Sequence, residues 1–164
     1  MNWQNQFRDR INDFEKSFGD GKGVSISIKL RANSCFCREH CAKEEYKIID
    51  KEVSAFDCNE EHAVLIEHES GPEILAYILL SAGVVSLSAA IIDVVTAVIN
   101  SRKKNKSDSS FEIIIRNFDS EGNIREEKIL KTEGTIDNKS IKVLLEKGIQ
   151  ILLKNDNNNT IKKI

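Results

Sequence analysis

Proline is nearly absent: Pro72 is the only one in 164 residues, and with just eight glycines the chain is neither collagen-like nor a proline-rich extended polymer. Aromatic residues make up 6%, with a single tryptophan, Trp3. Neither sign of charge dominates, since 24 Lys and Arg stand against 26 Asp and Glu; the net charge of −2 gives no general attraction to nucleic acid. A Gly-rich phosphate loop and paired C-x2-C spacing are also missing. Gly19, Gly21 and Gly23 alternate ahead of a strand rather than opening a helix, so they do not form a dinucleotide fingerprint. The first 20 residues are charged and amphipathic, unlike a secretory signal peptide. These absences argue against a motif-bearing enzyme and against a nucleic-acid partner.

What the chain does have is one long apolar segment. Residues 74–99 hold Asp93 as their only charge, and as a helix they extend about 39 Å, more than the roughly 30 Å of a bilayer core. Ser70, Pro72 and Glu73 suit a helix start, and Arg102, Lys103, Lys104 and Lys106 suit its end, where they also make a stop-transfer or headgroup-binding cluster. Residues 52–71 contain no Lys or Arg, so the positive-inside rule places the C-terminal part in the cytoplasm. A single-pass membrane protein is the first expectation. A cytoplasmic protein with this helix buried in its own core or at a subunit interface is the alternative, and a pore-forming segment inserted on activation is a third.

The helix surface is patterned. Ala82, Ser86, Ala89 or Ala90, Asp93 and Ala97 form a small or polar stripe, which predicts close helix approach and a homo-oligomer. Asp93 draws particular notice, because an ionisable group at membrane depth normally faces protein or water. Cys35, Cys37, Cys41 and Cys58 offer four soft ligands, so zinc is the alternative to having no cofactor. Reduced thiols and a disulfide are the other readings of the cluster. His62 and His68 among acidic residues read as a solvated strand edge.

Around this segment the periodicities alternate. Trp3, Phe7, Ile11, Phe14 and Phe18 fall on one helical face, and Val24, Ile26, Ile28 and Leu30 alternate with polar residues as a half-buried strand. Further extended stretches are expected at 46–56 and 62–67. Residues 111–118 and 124–131 read as a hairpin, followed by a helix capped by Asp137 or Asn138. The expected class is therefore α+β: an N-terminal amphipathic helix, short strands, one long apolar helix read as transmembrane, and a C-terminal β-hairpin plus helix. It divides into 1–70 with the cysteines, 71–101 as the long helix, 102–154 as hairpin and helix, and 155–164 as a polar disordered tail. If strands from 24–67 pair with those from 111–131, a straight span is excluded, because two halves of a sheet cannot exchange hydrogen bonds across a bilayer.

The order of a strand VSISIKL, an SGPE entry, a long Ala/Ser/Val helix closed by SRKK, then FEIIIRNFDSEGNI and a terminal helix resembles the effector-associated constant component family of bacterial conflict and defence systems. The resemblance covers roughly residues 24–153 and is architectural. It implies a non-enzymatic component of a bacterial multi-protein system, with an effector protein and a lipid bilayer as expected partners, and it carries over no catalytic residues.

Overall fold

In the computed structural model, which describes residues 2–19, 23–32, 43, 46–47, 51, 63–66, 71–79, 85–104, 111–118, 121–132 and 136–160, the first element is α1 (Trp3–Phe18). Asn2 caps it, accepting from the Gln4 N–H at 3.1 Å, and the Gly19 N–H closes it on the Glu15 carbonyl at 2.8 Å. There follow β1 (Gly23–Ala32), β2 (Ala63–Ile66), β3 (Glu73–Leu79), α2 (Ala89–Lys104), β4 (Phe111–Phe118), β5 (Ile124–Thr132) and α3 (Asn138–Thr160).

The five strands form one antiparallel sheet in the order β2-β3-β1-β4-β5. Strand β1 lies at its centre, pairing with β3 from Gly23↔Leu79 to Lys29↔Glu73 and with β4 from Ser27↔Arg116 to Ala32↔Phe111. Because side chains alternate across a strand, Ile26, Ile28 and Leu30 enter one face of the sheet and Ser25, Ser27 and Lys29 the other. The first face is covered by α2 and α3, which supply Ile91, Val94, Val95 and Val98 and Ile141, Leu145, Ile149 and Leu152 to the main core; Tyr46 joins it. On the second face α1 lays Phe7, Ile11 and Phe14 over Leu75 and Tyr77. The result is three layers, with helices on both sides of the sheet.

This architecture corrects the expectation of a single helix over 74–99. Its first part, Glu73–Leu79, is the strand β3, and the helix α2 begins only at Ala89. A strand buried on both faces reads as a continuous apolar run, which periodicity does not separate from a buried helix. Among the described residues no helix is long and apolar enough to cross a membrane. The pairing of β1 with β4 independently rules out a straight span between the two halves of the chain. The transmembrane helix, the single-pass membrane placement and the orientation inferred from Arg102, Lys103, Lys104 and Lys106 are therefore withdrawn.

Other elements also differ from expectation. Tyr46, Lys47 and Lys51 are helical where an extended stretch was expected. Asp137 supplies the α3 cap, accepting from the Ser140 N–H at 2.9 Å and the Ser140 hydroxyl at 2.8 Å; these bonds hold its carboxyl below the usual carboxylate range. Helical backbone then continues to Thr160, into the stretch read as disordered.

Candidate functional site

The polar residues of β1 are the surprise of the fold. Alternation alone gives Ser25, Ser27 and Lys29 to solvent, yet Ser27 and Lys29 are buried, because α1 covers their face. Glu73 opens β3 directly opposite Lys29 and is 1% exposed. Each of these groups has a partner in α1, in the facing strand β3 or in the adjoining turn. Arg10 Nη2 of α1 donates to Glu73 Oε2 at 3.1 Å, and the Ser27 hydroxyl donates to Glu73 Oε1 at 2.5 Å. Lys29 Nζ donates to the Gly71 carbonyl at 2.9 Å. Gly71 has φ 118, a conformation that favours glycine, and Pro72 follows it; the Pro72 carbonyl accepts from the Leu30 N–H at 3.0 Å, so the turn is tied to β1 on both sides of the lysine. Ser25 likewise donates to Glu15 near the C-terminal end of α1.

Among the described residues, the cations that act on Lys29 outnumber the one carboxylate, Glu73, that does so. Burial pushes the Lys29 amine down to about 8 from 10.5; Glu73 opposes that shift, while Arg116, Arg10 and Arg31 reinforce it. Arg10 keeps a buried Nε–H that no acceptor among the described residues meets.

Arg116 carries the cluster outward to the surface. Its Nε donates to Glu126 at 2.7 Å, and its guanidinium lies 5.3 Å from the Trp3 ring centre and 5.9 Å from that of Phe7. Arg10 covers Phe7 at 5.9 Å and Arg8 covers Phe118 at 5.8 Å, while the Phe7 and Phe118 rings are 5.3 Å apart. Arg8 also donates to the Gly122 carbonyl of the β4–β5 turn at 3.1 Å. Rings and guanidinium groups thus alternate from the buried cluster to Trp3, which is 49% exposed.

The residues singled out from sequence lie elsewhere. Ala89 and Asp93 are exposed and Ala97 is half-buried on the outer side of α2, whereas Ser86 is exposed ahead of that helix and Ala82 lies outside the described residues. The large apolar side of α2 is already buried on this chain's own sheet. Asp93 meets α3, accepting from Asn138 Nδ2 at 2.6 Å. Arg102, Lys103 and Lys104 fall in the last turn of α2, and Lys106, Cys35, Cys37, Cys41 and Cys58 lie outside the described residues. Among the described residues no group of His, Cys, Asp and Glu is arranged to hold a metal ion. Sequence patterning does not mark Arg10, Ser27, Lys29 or Arg116 as site residues, and it places Glu73 at a helix start. The available signal is a charged residue, Glu73, immediately ahead of an apolar run. No family model matches the chain, and no curated protein or solved structure matches it.

Proposed function

We propose that this chain is a non-enzymatic interaction component of a bacterial multi-protein system, the role implied by its resemblance to the effector-associated constant component family, with an effector protein as its partner. The observation that carries the reading is the corner where α1 meets the β4–β5 hairpin. There Trp3 is half exposed and stacked against Arg116, with Arg8 over Phe118 beside it. Tryptophan and arginine supply a disproportionate share of binding energy at protein interfaces, and a ring already held by a neighbour loses little freedom on docking.

The test is co-purification of the tagged chain with an effector protein co-expressed from the same genome. Trp3→Ala removes an exposed ring and one cation–π contact, costing about 0.5–1 kcal/mol of stability, so the variant is expected to fold and to lose the effector. Val143→Ala, at an exposed position on α3, is expected to retain it. Equal recovery with both variants removes this corner from the interface, and turnover of a substrate by the purified chain overturns the non-enzymatic role.

A further inference from the structure

We propose that the Lys29–Arg10 cluster beneath α1 is a binding site for a compact oxyanion, a phosphate or a carboxylate. The argument starts from donors without acceptors. A charged lysine offers three N–H groups, and among the described residues Lys29 uses one, on the Gly71 carbonyl, although it is 5% exposed. Arg10 adds a buried Nε–H with no partner among the described residues. Buried donors are costly to leave unmet, which makes an acceptor with several oxygens the complementary ligand.

Charge points the same way. Arg10, Arg116 and Arg31 all act on Lys29 as like charges, and among the described residues Glu73 alone opposes them there. Glu73 is itself engaged by Arg10 and Ser27, and Arg116 by Glu126. An added anion relieves repulsion among the cations and leaves these bonds in place. Arg10, with its side chain 30% exposed, links the cluster to solvent and gives the anion its approach. Planar guanidinium and ammonium donors together suit carboxylate and phosphate oxygens. The inference concerns the buried end of the site and stands apart from effector docking at Trp3.

The experiment follows thermal unfolding of the full chain at pH 7 while inorganic phosphate replaces sodium chloride at constant ionic strength. A ligand that binds only the folded state raises the midpoint along a saturating curve, here by roughly a few degrees at 100 times its dissociation constant. Lys29→Met and Arg10→Gln are expected to abolish the rise, and Lys147→Met, exposed on α3 across the sheet from the cluster, to preserve it. Acetate in a parallel titration separates the two chemistries: saturation with acetate marks a carboxylate-reading site, and saturation with phosphate alone a phosphate-reading one. In the unsubstituted protein, the NMR titration midpoint of the Lys29 side chain is expected to move to higher pH when phosphate is bound. No rise beyond that in chloride, an equal rise in Lys29→Met, or an unmoved Lys29 midpoint overturns the proposal.

Discussion

Lys29 shows how a single buried charge shapes the stability of this protein. The folded chain releases the Lys29 proton at about pH 8, whereas the unfolded chain holds it to 10.5. Between those values the unfolded state binds more protons, so stability rises with pH; below pH 8 the penalty is fully present and constant. In urea unfolding at a series of pH values, this group is expected to add up to about 3 kcal/mol between pH 8 and 10.5. Lys29→Met keeps the bulk of the stem and removes the charge. Its profile is expected to lack that rise, and its stability at pH 7 to exceed that of the unsubstituted chain by about 1–2 kcal/mol once the lost bond to Gly71 is deducted. Glu73→Gln acts in the opposite sense. It leaves Arg10 and Lys29 without the buried carboxylate, and a loss of about 3 kcal/mol in urea unfolding at pH 7 is expected. Neither residue declared its environment in the sequence. Lys29 occupies the polar phase of an alternating strand, and only α1, docked from a distant part of the chain, turns that phase inward.

At the scale of elements, two packing details on the helix side of the sheet separate competing effects. Thr96 of α2 is buried, and its hydroxyl has no hydrogen-bond partner among the described residues. Thr96→Val removes an unmet polar group at nearly constant shape, and a gain of about 1 kcal/mol is expected in thermal unfolding. Gly148 of α3 sets helix propensity against space. Alanine gains about 1 kcal/mol in a helix interior, but its Cβ would stand 2.5 Å from Ile129 Cγ2 and 2.9 Å from Ile115 Cδ1. Overpacking of this kind costs about 1–3 kcal/mol. Gly148→Ala is therefore expected to lower the urea midpoint, with Ile129 and Ile115 yielding only in part. The elements differ in how plainly they can be read. The spacing of Phe7, Ile11 and Phe14 gives α1 almost residue for residue, and the alternation of Ile26, Ile28 and Leu30 gives β1, because each is apolar along one side. Strand β3 is apolar on both sides, with Ile74, Ala76 and Ile78 toward α2 and α3 and Leu75 and Tyr77 toward α1. Its pattern therefore merges with that of α2, and the boundary between them depends on the sheet rather than on local sequence.

For the molecule as a whole, the decisive feature is that β1 belongs to both halves of the sheet. It pairs with β3 along Gly23–Lys29 and with β4 along Ser27–Ala32, so strands from the two ends of the chain are laid on one template. The same joining creates the candidate site, since Arg10, Lys29, Glu73 and Arg116 come from α1, β1, β3 and β4 and come together only when β1 is paired on both sides. Such dependence predicts cooperative unfolding without a separately stable half. A fragment of residues 1–104 keeps β1, β2, β3 and both helices α1 and α2, but it lacks the β4 side of β1 and the α3 side of the main core, where Ile113, Ile115, Ile141, Leu145, Ile149 and Leu152 are buried. At about 1.5–3 kcal/mol for each fully buried aliphatic side chain, this loss is as large as the roughly 5–15 kcal/mol by which folded domains are stable. The fragment is expected to show no cooperative thermal transition by circular dichroism and poor dispersion of its amide NMR signals. Adding residues 105–164 in trans is expected to restore both, with the Lys29 titration near pH 8 reporting that α1, β1, β3 and β4 have reassembled around the buried cluster. A cooperative transition in the fragment alone would instead place the folding unit within β1, β2 and β3, and β4 would then be a later addition to a sheet already formed.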